Sequence, residues 1–146
     1  VRNYFAGSLS KKFGVKEGIE LPETLIEYCL KSDDLGDPHI STEHILNLGL
    51  CDLDNLELID EYALRINDIL KSLFYSIGIN LIDFKLEFGI TKKNKELILA
   101  DEISPDTCRL WDLKTNKKLD KDRFRRDLGN VEDAYNEVLE RLKLKI

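Results

Sequence analysis

The chain has 146 residues, of which 42% are hydrophobic and 34% charged, and its formal net charge is −6. These values indicate one globular domain with a core of its own and exclude a disordered chain. They give no overall basic surface for nucleic acid, and no apolar run approaches the ~20 residues that span a bilayer. With no signal peptide and three widely spaced cysteines, we expect a cytoplasmic protein without membrane or nucleic-acid partners.

The first residues, VRNYFAGSLSKKFG, predict the end of a strand, a Gly-Ser turn and a short helix from Ser8. Arg2 stands just ahead of that turn, where backbone amides and a hydroxyl can form a small nest for an anion. The chain contains no methionine, even at position 1, so we expect Val1 to continue from an upstream segment.

Apolar residues at helical spacing predict three helices in the next part of the chain, at residues 22–31, 41–48 and 53–77. The third is the clearest, because its apolar residues recur every three or four positions throughout. Asp52 suits its N-cap, and Gly78 suits its C-terminal end. We expect this long helix to be scaffold.

The remaining part of the chain predicts strands and two further helices. Residues 80–103 form a predicted hairpin around the polar loop TKKNK, and residues 104–112, SPDTCRLWD, are expected to be irregular. Asp120 suits the cap of a helix that ends near position 128, and Asn130 that of a last helix ending near position 143. Together these elements predict an α+β fold, in which helices, including the long helix 53–77, pack on an antiparallel sheet containing the hairpin.

The most informative segment is LIDFKLEFG, residues 81–89, in which apolar and charged residues alternate. As one strand it would present an apolar face and a face with Asp83, Lys85 and Glu87 in a row. With Asp101 from the second strand, these carboxylates are the hard oxygen ligands that Mg²⁺ uses together with substrate phosphates, and the lysine can neutralise a phosphate. The alternative is a solvated charged face of an antiparallel sheet.

The register of the hairpin tests this shared site. Glu87 and Asp101 lie on one face only if paired position numbers add to an even number, which requires an odd-length loop centred near Asn94. A two-residue turn at positions 93–94 would place Asp101 on the apolar side, beside Leu86. Such an odd register would contradict a site on a shared strand face.

Two other charged clusters have open interpretations. One surrounds the Ser-Pro turn after the hairpin and comprises Asp101, Glu102, Asp106, Arg109 and Asp112. It predicts either a binding loop or turn chemistry with surface ion pairs. In the second cluster, Arg125 and Arg126 either clamp a phosphate or carboxylate, or pair with Asp122 on the surface of a helix.

Five segments match, in order, the signatures of one known family. They are RNYFAGS (2–8), LGDP (35–38), LIDFKLEFG (81–89), LADEISPDTCRLWD (99–112) and LDKDRFRRDLG (119–129). They resemble the SAICAR synthetases (phosphoribosylaminoimidazole-succinocarboxamide synthases), and LIDFKLEFG fits the family's second signature throughout. The resemblance covers essentially the whole chain.

The resemblance implies a fold and a reaction. Residues 1–146 would be the C-terminal, larger lobe of an ATP-grasp-like enzyme, carrying the carboxylate site. An N-terminal lobe with a glycine-rich loop over the ATP phosphates would lie upstream. The family joins the carboxylate of carboxyaminoimidazole ribonucleotide (CAIR) to the amine of L-aspartate, using ATP and Mg²⁺ and an acyl-phosphate intermediate. The family is usually oligomeric, so we expect a homodimer.

The resemblance also implies residue roles. Glu87 and Asp101 would bind Mg²⁺ that bridges the ATP phosphates, and Lys85 would offset charge near the transferred phosphoryl group. These three would be the catalytic residues. The residues implied in binding substrate are Arg2, Ser8 and Arg109 for the ribonucleotide phosphate, Asp83 and Asp106 for its ribose or amino groups, and Arg125 for a substrate carboxylate.

Two alternatives to a ligase remain open at this point. The lobe alone could be a ribonucleotide-binding module without catalysis, because no phosphate-covering loop lies within residues 1–146. A regulatory or scaffold domain with a charged sheet face requires the family match to be accidental. Calorimetry of the lobe with CAIR, with and without ATP and Mg²⁺, separates the ligase from the binding module, and substantial ATP turnover by the lobe would overturn the binding-only view.

Overall fold

The structure, a computed structural model, describes residues 1–126 and 128–143. Its strands are β1 (Arg2–Tyr4), β2 (Glu20–Leu25), β3 (Tyr28–Cys29), β4 (His39–Ile40), β5 (Ile79–Phe84), β6 (Phe88–Ile90), β7 (Leu97–Leu99) and β8 (Cys108–Asp112). Its α-helices are α1 (Gly7–Phe13), α2 (Thr42–Asn47), α3 (Leu53–Ser76), α4 (Asp122–Arg125) and α5 (Val131–Lys143). The main sheet has the order β2-β1-β5-β8, and β3–β4 and β6–β7 form two small antiparallel pairs. The predicted α+β class with antiparallel strands is confirmed.

The main sheet is covered on both faces, which explains why its central strand β5 is almost wholly buried. One core cluster joins β5 and β8 to helices α3 and α5, through residues such as Phe74, Leu81, Leu110 and Val138. A smaller cluster on the other side of β5 contains Ala6, Ile82 and Trp111. Because β5 packs on both sides, polar side chains along it need internal partners.

Helix α3 forms as predicted. The side chain of Asp52 accepts a hydrogen bond from the backbone N–H of Asn55, at 2.8 Å, and so caps the N-terminus. Gly78, at φ 75°, follows the C-terminal end in the left-handed conformation that glycine adopts without strain. Helices α2 and α5 also lie where helical spacing predicted them, and α1 begins one residue before the predicted Ser8.

The predicted helix at residues 22–31 is wrong, because this segment contributes to strands β2 and β3. Strand β2 pairs antiparallel with β1 at the edge of the main sheet. An edge strand is where a proline such as Pro22 is tolerated, because only one side of that strand is paired. The pairing partner of β2 is distant in sequence, so local spacing could not predict it.

The predicted hairpin 80–103 is wrong in its first strand. Strand β5 ends at Phe84, residues 85–87 leave the ladder, and only β6 and β7 form the hairpin. The antiparallel partner of β5 is β8, which lies in the segment 104–112 that was expected to be irregular. Helix α4 is also shorter than the predicted helix from Asp120 towards position 128, within the part of that segment that the structure describes.

A buried amide network ties α3 to the sheet. The side-chain nitrogen of Asn3 donates to Asn67 Oδ1 at 2.8 Å, and Asn67 Nδ2 returns bonds to Asn3 Oδ1 and to Thr24 Oγ1, each at 3.1 Å. Asn67 is 1% exposed, so its polar atoms have no access to bulk water. Each partner is therefore costly to leave unsatisfied.

We predict that Asn67→Leu lowers the free energy of unfolding by about 1–3 kcal/mol, since it removes one hydrogen-bond partner of the Asn3 side chain and one of the Thr24 hydroxyl. Urea unfolding of this chain measures the effect. Asp68→Ala, at the next, exposed position of the helix, is the control and should stay within about 0.5 kcal/mol of wild type. Equal stability of Asn67→Leu and wild type would contradict a stabilising network.

Candidate active site

A cleft of about 470 Å³ opens beside strand β5 and the 85–87 segment. It contains two charged regions, which we call the anion end and the lysine end. The predicted site residues that line it are Arg2, Ser8, Asp83, Lys85, Glu87 and Arg109. The structure therefore gathers most of the predicted site into one place.

The anion end is built on a row of three cross-strand neighbours. Strand β5 lies between β1 and β8, and Asp83 pairs in register with Arg2 on one side and Arg109 on the other. Arg109 Nη1 donates to both carboxylate oxygens of Asp83, at 2.9 and 2.8 Å. Arg2 Nη1 donates to Asp83 Oδ2 at 3.2 Å. One buried carboxylate thus holds a guanidinium on each neighbouring strand.

A β-bulge in β5 directs Asp83 towards this row. Positions 79, 80 and 81 pair with 112, 111 and 110, but Asp83 pairs with Arg109, so Ile82 is an extra residue on its strand. As a result Phe84 packs in the same core cluster as Leu81, although strict alternation would place the two on opposite faces. The predicted charged face from Asp83 to Glu87 is therefore wrong: Asp83 is buried, at 6% exposed.

The two arginines have further partners. Arg2 Nη2 donates to Ser8 Oγ at 3.0 Å, and Arg2 Nε donates to Glu27. Arg109 Nε donates to Asp122 Oδ2 at 3.0 Å. Burial lowers the pKa of Arg109, but the charges of Asp83 and Asp122 raise it by more, so the side chain stays cationic. The anion end therefore presents two guanidinium groups whose positions are fixed by carboxylate partners.

The lysine end centres on Glu87. Its carboxylate binds Lys85, with Nζ to Oε1 at 2.6 Å, and also Lys31. Hydrogen bonds from Lys31 and then Lys85 lower the pKa of Glu87, so it is an anion at neutral pH. Hydrogen bonds from Glu102, followed by the charges of Lys85 and Lys31, lower the pKa of Asp101. The same two lysines therefore lower the pKa of both Asp101 and Glu87.

The register of the β6–β7 hairpin differs from the prediction. Phe88 pairs with Leu99 and Ile90 with Leu97, so paired numbers add to an odd number, and the loop at positions 92–95 has even length. The backbone carbonyl of Glu87 accepts from the N–H of Ala100 at 2.8 Å, which offsets Asp101 by one residue. Glu87 and Asp101 therefore do not share a strand face. Asp101 lies beyond the end of β7, and what it has in common with Glu87 is the charge of Lys85 and Lys31, which lowers the pKa of both carboxyl groups.

The structure does not bring every predicted residue to the cleft wall, because Asp101 and Asp106 are not among the residues that line the cleft. Asp106 is exposed and accepts a 2.7 Å hydrogen bond from Tyr135 of α5. The side chain of Arg125 lies outside the described residues. Within residues 1–126 and 128–143, no three acidic, histidine or cysteine side chains form a metal-binding group on their own.

Comparison with known proteins shows the family to which a chain with this site belongs. The family model described as SAICAR synthetase matches residues 1–142. The chain belongs to the SAICAR synthetase family.

Relatives in this family are similar over nearly the whole chain. The phosphoribosylaminoimidazole-succinocarboxamide synthase of Rhodospirillum centenum is 58% identical over 144 residues, which cover 97% of this chain and 57% of that protein. The crystal structure of the Ehrlichia chaffeensis synthase has a TM-score of 0.94 at 49% identity, over 97% of this chain and 61% of that one. A SAICAR synthetase in complex with ADP has a TM-score of 0.91 at 52% identity, over 97% and 60%. The chain thus spans about three fifths of these relatives.

Two acidic residues, Glu17 and Asp122, support the anion end, a role that was not predicted for either, although the predicted pairing of Asp122 with Arg126 is present at 3.5 Å. Glu17 accepts from the backbone N–H of Gly7 at 3.0 Å and from both Nη atoms of Arg126 at 2.6 and 3.0 Å. Arg126 is the main cause that lowers the pKa of Glu17 to about 2. Asp122 binds Arg109 as described. Glu17 occupies the Gly7 amide of the predicted anion nest, and no local pattern marks either acid for its role.

Asp120 is a buried carboxylate behind the anion end. It accepts from the backbone N–H groups of Leu110 and Asp122, each at 2.8 Å. It is 0% exposed, and burial raises its pKa to about 6 from an ordinary value near 3.8.

No helix in the parts of the chain that the structure describes combines the length and apolarity that a membrane crossing requires.

We predict that Asp120 makes folding less favourable as pH rises from about 4 to 6. The native state holds this proton more tightly than the unfolded state, so the free energy of unfolding falls as the pH rises through that window. Asp120→Asn cannot ionise, so the variant should gain stability relative to wild type over that range. The gain should be on the order of 3 kcal/mol, from about two pKa units.

Urea unfolding of both proteins at pH 4, 5, 6 and 7 measures this difference. Asp68→Asn, which removes an exposed carboxylate, is the control for loss of one charge. A stability difference between Asp120→Asn and wild type that stays constant with pH would show that Asp120 has no raised pKa.

Proposed function

We propose that the complete protein is an ATP-dependent ligase of purine biosynthesis, which joins CAIR to L-aspartate to give SAICAR, ADP and phosphate. The observation that carries the proposal is the anion end and the lysine end in one cleft of a SAICAR synthetase chain. A ligand with a phosphate at one end and a carboxylate at the other can occupy both. The relative solved in complex with ADP supports nucleotide binding in this family.

In the proposed reaction a carboxylate of CAIR attacks the γ-phosphorus of ATP, and the bond to ADP breaks. The resulting acyl phosphate has a good leaving group, whereas the carboxylate itself would have to lose oxide. The amine of L-aspartate then attacks the acyl carbon, phosphate leaves and the nitrogen loses a proton. The protein contributes positioning and neutralisation of charge.

The lysine end suits phosphoryl transfer. Glu87 and Asp101 are hard oxygen ligands that would hold Mg²⁺, with phosphate oxygens and water completing the coordination. Bound there, Mg²⁺ would neutralise charge on the transferred phosphoryl group. Lys85 and Lys31 both contact Glu87, so their ammonium groups lie where phosphate oxygens would approach that carboxylate.

The anion end suits the ribonucleotide phosphate. Arg2, Ser8 and Arg109 carry the donors, and in the structure the carboxylate of Asp83 fixes both guanidinium groups. We keep Asp106 and Arg125 as proposed substrate contacts, for a ribose or amino group and for a carboxylate, on the family resemblance. The same resemblance supports residues 1–146 as the C-terminal ATP-grasp-like lobe, a homodimer and a cytoplasmic location.

We predict that Glu87→Gln or Asp101→Asn in the complete protein lowers Mg²⁺-dependent turnover by about 10³-fold or more, because a carboxylate ligand worth several kcal/mol is lost. Release of ADP measures turnover, and circular dichroism checks that folding is intact. Glu96→Gln, an exposed acid on the same hairpin, is the matched control and should retain wild-type rates. Wild-type rates in Glu87→Gln or Asp101→Asn would refute the metal assignment.

The binding-only alternative is not favoured by family membership, and it differs from the ligase in ATP turnover. We predict that this chain alone binds CAIR, because the anion end is built within residues 1–126. Isothermal titration calorimetry with CAIR, with and without ATP and Mg²⁺, measures binding. The chain alone should not turn over ATP if the phosphate-covering loop lies upstream, and substantial turnover by it would contradict that division of labour.

A further inference from the structure

The guanidinium group of Arg109 is held on two of its edges. Its Nε donates to Asp122 Oδ2 at 3.0 Å, and its Nη1 donates to both oxygens of Asp83. The three side chains are 13%, 3% and 8% exposed, for Arg109, Asp122 and Asp83 respectively. Charge-assisted hydrogen bonds in such a sheltered place fix orientation strongly.

Gly7 packs against the guanidinium group, closest to Nη2. A Cβ built on Gly7 would lie 2.4 Å from Arg109 Nη2, so only glycine allows this approach. Gly7 has φ 54°, which also favours glycine. Among the described residues, Nη2 donates no hydrogen bond, and the next residue, Ser8, accepts one from Arg2. Within the described residues, Nη2 is thus the donor of Arg109 that is available to a ligand.

Asp122 is itself held in place by Asp120. Its backbone N–H donates to Asp120 Oδ1 at 2.8 Å, at the start of helix α4. Its Oδ2 also lies 3.9 Å from Lys118 and 3.5 Å from Arg126. Asp122 does not line the cleft, whereas Arg109 and Asp83 do. Its effect on a ligand must therefore pass through Arg109.

We propose that Asp122 is a positioning residue for the phosphate of the ribonucleotide, which holds Nε of Arg109 so that Nη2 faces the anion. This inference rests on the proposed function, because it deepens the role of the anion end. With Asp122 present, two carboxylates on different edges set the plane of the guanidinium. Without it, Asp83 alone holds Arg109, and the group can pivot about Nη1 away from Gly7.

A purely structural ion pair makes a different prediction. If Asp122 only joined α4 to β8, its loss would lower stability and weaken all ligands by one factor. If it positions Nη2 for phosphate, its loss weakens only ligands that carry the phosphate. Comparing a nucleotide with the matching nucleoside therefore isolates the proposed role.

The test titrates this chain with CAIR and with the matching riboside, which lacks the 5′-phosphate, by calorimetry at fixed salt. Wild type should bind CAIR more tightly than the riboside. Asp122→Ala should lower the ratio of CAIR affinity to riboside affinity by tenfold or more. The affinity for the riboside itself should stay within about twofold of wild type. Asp122→Asn keeps an acceptor for Nε but not the charge, so it should narrow the ratio by less and tests the proposal if Asp122→Ala does not fold.

Glu137→Ala is the matched control, since it removes a carboxylate that pairs with Arg141 and Lys117 away from the cleft. It should keep the wild-type ratio. In the complete enzyme, Asp122→Asn should raise KM for CAIR with kcat and KM for ATP within about twofold, as expected for loss of uniform binding.

The outcomes distinguish failure of the positioning role of Asp122 from failure of the anion end as a phosphate site. An unchanged ratio in Asp122→Asn and Asp122→Ala, or an equal loss of both ligands, would overturn the positioning role and leave the anion end standing. A wild-type chain that binds CAIR and the riboside equally would overturn the anion end, and the positioning role with it. Loss of ligase activity in the wild-type complete protein would refute the proposed function even where the ratios behave as expected.

Discussion

The cleft depends on one buried carboxylate, Asp83, which two cross-strand arginines share. Its strand is central, so Arg2 and Arg109 approach from both neighbouring strands in direct register. Burying three charges is expensive, and apolar residues of similar volume are often as stable or more so. Stability alone therefore does not account for the row. What the row provides is two guanidinium groups with fixed planes at the mouth of a cleft, which an apolar sheet could not offer.

The bulge at Ile82 lets one strand serve both the core and the site. Before it, β5 pairs with β8 in one register and places Leu81 in the main core; after it, Phe84 returns to that core. Asp83 lies between them, opposite Arg109. A regular strand would have to give up either the apolar contact of Phe84 or the ion pair. The extra residue avoids that choice, as bulges near functional sites commonly do.

The sequence predicted those elements whose formation depends on residues close together in the chain. Helix α3 was predictable, since Asp52 caps it and its apolar stripe repeats at helical spacing. Strands β2 and β8 were not, because their partners are far along the chain and β8 is too short for a clear period. Six of the residues that the motifs named, including Arg2 and Glu87, line one cleft. The register of the hairpin was missed, because an even loop of four residues, 92–95, is as compatible with TKKNK as an odd one. Asp122 owes its role to tertiary contact alone.

The two ends of the cleft are prepared for charge in different ways. At the anion end the cations are neutralised by buried carboxylates and keep their geometry without a ligand. At the lysine end Glu87 is bound by two lysines, one of which, Lys31, is 75% exposed and can move at little cost. Two ammonium groups beside a carboxylate disfavour a bare divalent cation but favour one that arrives with phosphates. Under the proposed function, metal and nucleotide therefore belong together at this end, and the lysines released from Glu87 would turn to the phosphates.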